Sequence, residues 1–301
     1  MSQTIKRSIS ALLIAGLLIL SGCDEGAVRK LGAKIGSRGQ DVGTAAAKVI
    51  AELDEFEQVD YEQRLRVGIL VRPPAMGTED LPIVDHNKLE QDQITQREKL
   101  YKQLAKAYAA LQTLSETAFA DQSAAAVTEL NNSINNIKAV PNIPVGVSSA
   151  LSGLTGLIVD RKQAKDIRKY SLTLANLIKA HRALWESDRQ IWDNYLARIR
   201  SAYIDQLNKT EADRFDLQQL RKIVTYPYAD SYLINTYKAQ EAARLDSRIT
   251  EIKEHLDAVD EAFSQLEKAH KELTEEKPSY DDIVSSLDRI VTILGELKTN
   301  S

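Results

Sequence analysis

The sequence predicts an all-α fold: an elongated antiparallel bundle of five or six helices, several of them long and coiled-coil-like. Three observations carry that expectation. Only 13 Gly and 7 Pro occur in 301 residues, so there are few points at which a helix must stop. Leu245, Ile249, Ile252, Leu256, Val259, Phe263, Leu266, His270 and Leu273 recur in steps of four and three, the seam of a heptad repeat. Helices of about 45 residues are about 68 Å long at 1.5 Å per residue, so packing them side by side gives a rod.

The chain opens with a segment that is not part of the bundle. Residues 1–22 hold a basic start at Lys6 and Arg7, an apolar run from Ala11 to Leu20, and the small pair Ser21 and Gly22. That is the three-part layout of a cleaved secretory signal peptide, too short to span a bilayer. Leu20-Ser21-Gly22-Cys23 resembles the lipobox of bacterial lipoproteins, and Cys23 is the one cysteine of the chain. The resemblance implies that the Cys23 thiol carries diacylglycerol, that the signal is cut before it, and that the new amino terminus is acylated, with palmitate-type chains as the anchor. Two or three acyl chains hold a protein stably on a membrane, whereas one holds it marginally. Asp24 directly after the lipid site resembles the signal that keeps enteric-type lipoproteins on the inner membrane rather than the outer, and Glu25 adds a second acid. The implied address is the periplasmic face of the inner membrane, lipid-anchored and not spanning.

Removing residues 1–22 takes away Lys6 and Arg7 and no acid, leaving 37 basic against 43 acidic residues, a formal charge of −6. That balance excludes nucleic acid as an expected partner. With Cys23 consumed by lipid no disulfide can form, so stability must come from packing.

Residues 23–43 are expected to be a lipid-attached tether or frayed helix, because Gly26, Gly32, Gly36, Gly39 and Gly43 each weaken a helix by about 1 kcal/mol relative to alanine. Arg29, Lys30, Lys34 and Arg38 would then lie near anionic headgroups. Gly32 and Gly36 have the spacing of a helix-packing motif, which implies little outside an apolar membrane segment. Residues 44–88 read as a membrane-proximal helix from Thr44 to Arg66 followed by a loop with Pro73, Pro74 and Pro82, in which Val67 to Val71 forms an isolated extended segment.

Residues 89–301 form the expected long-helix bundle. In the first long stretch Leu100, Leu104, Ala107, Leu111, Leu114 and Ala118 step by four and three; Val127, Leu130, Ile134 and Ile137 resume after a phase shift, and the stretch ends near Lys138. A second begins between 148 and 160, with Leu177/Ile178, Leu184/Trp185, Ile191/Trp192 and Ile199 making a stripe wide enough for more than one neighbour. A short helix opens at Thr210, with Asp213 reaching back as in a capping box, and ends before Tyr226-Pro227-Tyr228. The heptad seam follows, Pro278 breaks it, and Tyr280, Ile283, Leu287, Ile290, Leu294 and Leu297 define a last amphipathic helix.

Catalytic patterns are missing from this sequence. It holds no glycine-rich phosphate cradle, no Ser-x-x-Lys, no Gly-x-Ser-x-Gly, and no His-Glu-x-x-His. The histidines are His86, His181, His255 and His270. Glu267 and His270 form one Glu-x-x-His, a spacing that di-metal bundles need twice. His270 sits on the heptad seam and is expected to be a hydrogen-bonded core residue; with His181 and Asp188 it is a candidate for fixing helix register. Trp185, Trp192 and Tyr195 are expected in the core. The acidic runs Asp54-Glu55-Phe56-Glu57 and Glu272 to Glu276 are expected as solvated faces. No metal, no cofactor and no enzymatic activity is expected.

One segment stands apart. Residues 139–159, AVPNIPVGVSSALSGLTGLIV, carry no charge and are followed by Arg161, Lys162, Lys165, Arg168 and Lys169. The expected form is a bundle-end loop leading into a buried helix start, since Pro141, Pro144 and three glycines oppose a spanning helix. The alternatives are a partner-docking surface, or insertion into a bilayer as in a membrane-active or toxin-immunity protein. A hydrolase or ligand-binding protein with scattered carboxylates is the remaining alternative. The expected function is a non-enzymatic structural or interaction module of the envelope, its partners membrane lipid through the anchor and an envelope protein or a second copy of the chain.

Overall fold

A computed structural model of the chain describes residues 26–56, 88–117, parts of 125–137, 163–209, 217–223, 230–275 and 278–299. Six helices carry these residues: α1 (26–56), α2 (Lys88–Glu116), α3 (Gln163–Lys209), α4 (Leu217–Ile223), α5 (Asp230–Thr274) and α6 (Tyr280–Thr299), with further helical residues within 125–137. Among the described residues there is no strand. The expected all-α bundle of long helices is therefore the observed one.

The order of cross-helix contacts gives the directions. Ser171, Arg182, Arg189, Arg200 and Tyr203 of α3 meet His270, Asp260, Asp257, Asp246 and Glu241 of α5, rising along one helix and falling along the other. Arg97 and Tyr101 of α2 meet Asp188 and Trp185 of α3 in the same opposed sense. Arg289 of α6 reaches Glu261 of α5. Helix α5 packs extensively against both α3 and α6, and α4 also packs on α5. All nine residues of the predicted seam from Leu245 to Leu273 are buried.

Two helix ends show local chemistry. Ser279 accepts the Asp282 N–H at 3.3 Å and caps α6, where Asp281 and Asp282 sit in the first turn, favourable for carboxylates at the positive end of a helix. The last turn of α2 leaves carbonyls without intrahelical donors. Arg29 of α1 supplies them, its guanidinium donating to the carbonyls of Ser115, Glu116 and Thr117 at 3.2, 3.3 and 3.0 Å.

Several expectations are corrected. Residues 26–43 are not a tether: they are the first half of α1, continuous across 43 and 44, with Val28, Leu31, Ile35 and Val42 buried. The glycines are the reason rather than the obstacle. A Cβ on Gly36 would lie 2.5 Å from the backbone nitrogen of Gln112, one on Gly39 2.0 Å from the Tyr108 ring, and one on Gly43 2.7 Å from the Ala105 nitrogen. Their steps of three and four put them on one face, which lets α1 lie against α2 at a separation no side chain would permit. The first long stretch is not one continuous helix: Glu116 ends α2 and Thr117 is non-helical, just before Ala118, the last residue of the first apolar track. Ile191 and Tyr280 keep the apolar period yet are 42% and 45% exposed. Ile191 is the outer member of its pair, and Tyr280 is the first residue of α6. Cys23, Asp24, residues 57–85, 139–159 and the proposed cap at Thr210 lie outside the described residues, while the helix after that cap is observed as α4.

Candidate functional site

A ladder of buried polar side chains crosses the part of the bundle where α1, α2, α3, α5 and α6 come together. It is built from heptad positions. Ile94, Arg97, Tyr101, Leu104, Tyr108, Leu111 and Ser115 form one stepped track on α2, and Ser171, Leu174, Ile178, His181, Trp185, Asp188 and Trp192 form one on α3; all are buried. Polar residues on those tracks face the other helices because the apolar ones do.

The lowest rung is His270 of α5, with no exposed surface. Its Nε2 lies 2.7 Å from the Tyr108 hydroxyl and its Nδ1 2.7 Å from the Ser171 hydroxyl, so one side chain binds α2, α3 and α5. One ring nitrogen donates and the other accepts, the hydroxyls taking the opposite parts. Burial lowers the pKa of His270 to about 3 and raises that of Tyr108, so both are neutral near pH 7. Glu267, the other half of the Glu-x-x-His pair, points to Arg182 at 3.7 Å. The two hydroxyls occupy both histidine nitrogens, so the ring has no lone pair to offer a metal in this arrangement.

The next rung is aromatic. Tyr101, Trp185, Trp192 and Phe263 stack edge to face or tilted at centroid distances of 4.8 to 5.9 Å, and the Trp185 indole N–H donates to the Leu256 carbonyl at 3.2 Å. Trp185, Trp192 and Tyr195 are thus core residues, as expected. His181 lies beside Tyr101 and donates from Nδ1 to the Leu177 carbonyl at 2.8 Å, which makes Nε2 the unprotonated nitrogen. Burial first, then the nearby Arg97 charge, lower its pKa to about 4 against the opposing backbone bond. Burial and then the Asp188 charge raise the Tyr101 pKa.

Above this, Arg97 of α2 grips Asp188 of α3 through both carboxylate oxygens, at 2.5 and 3.3 Å, with each residue nearly buried. His255 of α5 contacts the Glu52 carboxylate of α1 at 2.7 Å, and Lys48 lies 3.7 Å from the same carboxylate. Sequence reasoning named His270, His181 and Asp188 and missed Arg97, Tyr108, Ser171 and Glu52. Their signal was present on α2 and α3, since 97, 108 and 171 continue the three-and-four steps through Leu104, Leu111 and Leu174.

This arrangement holds helices in register. The pairings of His270, Trp185, Arg97 and His255 each join different helices, and an open groove of about 520 Å³ lies apart from the ladder, between α2 and the helical residues 125–129, lined by Lys106, Ala109, Ala110, Thr113, Ala125, Ala126 and Glu129. Among the described residues no group of three His, Cys, Asp or Glu is placed to hold a metal ion, and no helix is long and apolar enough to cross a membrane. Arg29 and Arg38, expected to face headgroups, are engaged within the protein, Arg29 on the end of α2 and Arg38 on Asp41 at 2.9 Å. Comparison with family models, with characterised proteins and with solved structures finds no match for this chain.

Proposed function

We propose that this protein is a non-enzymatic structural or protein-interaction module of the bacterial envelope, held by lipid on Cys23 to the periplasmic face of the inner membrane. The observation that carries the non-catalytic part is the use of the buried polar groups: His270, Arg97, Asp188, Glu52 and His255 are each bound to a side chain of another helix. Such groups stiffen and register a bundle, which suits a body that presents its outer helix faces to another protein. The anchor is supported by the lipobox resemblance at Leu20 to Cys23, and the inner-membrane address by Asp24. The partner is a second envelope protein or another copy of the chain.

Two measurements test the reading. Mass spectrometry of the native protein should find residue 23 at the amino terminus with added acyl mass. Crosslinking in cells followed by pull-down should give a specific envelope partner with the native chain, lost with Cys23→Ala. A free thiol at residue 23 contradicts the anchor, and a partner set unchanged by Cys23→Ala contradicts its role in the interaction.

A further inference from the structure

Cys23 and Gly26 are three residues apart, and three residues of chain reach at most about 11 Å. Helix α1 begins at 26 and is packed from its first turn, with Val28 and Leu31 buried and Arg29 bound to the end of α2. A lipid on Cys23 would therefore have almost no slack between it and the folded bundle. We infer that one end of the rod rests on the phospholipid headgroups: the start of α1, the end of α2 and the corner between α5 and α6. The far ends of α3 and α5 then stand clear of the bilayer. Ile167, which lies against Gly32, and Leu207 are both on α3, and the helix rises about 60 Å between them.

The inference rests on lipidation of Cys23, and the chemistry of that end supports it independently. Residues 26–40 contain Arg29, Lys30, Lys34 and Arg38 and no acid, in a mature chain of net −6. Lys30 and Lys34 are exposed, and the Lys34 ammonium lies 6.0 Å from the centre of the Tyr280 ring, itself 45% exposed. A cation beside a half-exposed phenol suits the headgroup layer, where tyrosine places its ring among lipid and its hydroxyl in water. Acids also stand at this end: Glu116 closes α2, Glu272 and Glu275 lie at the close of α5, Asp281 and Asp282 sit at the positive end of α6, and Asp24 and Glu25 precede α1 in the sequence. Charges act across about 8 Å at physiological salt, so the exposed Lys30 and Lys34 at the start of α1 are the cations that meet an anionic surface held against this end. Lying flat would need a continuous apolar stripe. Among the described residues the large apolar side chains exposed on the long faces, Leu172, Ile191, Tyr232 and Val291, are single residues on three helices.

Because the one native thiol is the lipid site, an introduced cysteine is a unique labelling position. The test places a fluorophore at Lys30→Cys or Asn208→Cys, both exposed, in the full lipidated chain. The labelled protein is reconstituted in vesicles of zwitterionic lipid with an anionic fraction and a headgroup-attached quencher. Helicity of each labelled protein is checked by circular dichroism. Fluorescence should be lost at 30 and unchanged at 208. Equal quenching at both positions means a rod lying flat and overturns the inference. With acyl mass confirmed on residue 23, no quenching at 30 also overturns it while leaving the anchor intact. An unmodified residue 23 removes the anchor and this inference together, and the mass measurement tells these failures apart.

Discussion

At the scale of single residues, His270 illustrates what a polar group on a heptad seam requires. Its ring is tolerated because two hydroxyls from two other helices meet it, at 2.7 Å each, and because it stays uncharged. The unfolded chain takes up protons at the ordinary imidazole value of 6.5, whereas folded His270 does so only near 3 and folded His181 only near 4. Below pH 6.5 the unfolded state thus holds more protons, and stability falls as pH falls until the folded values are reached. From pH 6.5 to 5 the loss is about 2 kcal/mol for each histidine, at 1.36 kcal/mol per pH unit. The urea midpoint should therefore drop between pH 7 and 5, and His270→Gln should shrink that drop by about half relative to the native chain; a midpoint independent of pH contradicts the assignment. Arg97 makes a different demand, because Asp188 is ionic. Arg97→Ala leaves that carboxylate buried beside Tyr101 and should cost about 3 to 5 kcal/mol, read from urea unfolding. The double change Arg97→Met with Asp188→Leu should recover most of the loss, since an apolar pair of similar volume needs no desolvation.

At the scale of elements, the interface between α1 and α2 depends on what its glycines lack. Alanine in place of glycine inside a helix ordinarily gains about 1 kcal/mol. At Gly295 of α6 an added Cβ meets nothing within 4 Å, so Gly295→Ala should raise the urea midpoint by that order. At Gly36 the same change puts a Cβ 2.5 Å from backbone of α2, which cannot rotate away, so Gly36→Ala should lower it and speed proteolysis of α1. If both substitutions act alike, the close approach is not what holds α1. The same contrast explains what could be read from sequence. The seam of α5 was legible since each of its residues reports its own burial through its spacing. The end of α2 at Glu116 was not legible, because the apolar spacing runs on through Ala118 and the stretch reads as one helix. The glycines of α1 were misread because propensity counts what a residue costs its own helix and is blind to the backbone of α2 beyond it. Tyr280 and Ile191 keep the apolar period but sit at a helix start and a stripe edge, where no neighbour covers them. His270 was legible as a core residue, while its partners Tyr108 and Ser171 needed the relative heights of three helices.

At the scale of the whole molecule the rod has two zones. In one, α1, α2, α3, α5 and α6 surround the ladder from His270 to Arg97. In the other, beyond about residue 199 of α3 and before about residue 245 of α5, the described neighbours reduce to α3, α5 and the short α4, which contributes the buried Leu220. The far zone still has a core, with Tyr203, Leu207, Leu233, Ile234 and Tyr237 buried. Its charged contacts are of two kinds: Arg200 with Asp246, both about half exposed, and Glu241, whose buried carboxylate is held by Arg244 and by the Tyr203 hydroxyl. An exposed pair such as Arg200 with Asp246 adds little, since solvent screens it; with fewer described helices packed on this zone, local opening has a lower free energy. Hydrogen exchange followed by mass spectrometry should accordingly show amides of 199–207 and 233–245 exchanging through smaller openings than those of 174–188 and 252–266. Arg97→Ala should lower protection in the second group far more than in the first. Uniform protection along α3 and α5, falling as one unit in Arg97→Ala, would mean that the heptad seam alone carries cooperativity from end to end and that the ladder does not divide the rod.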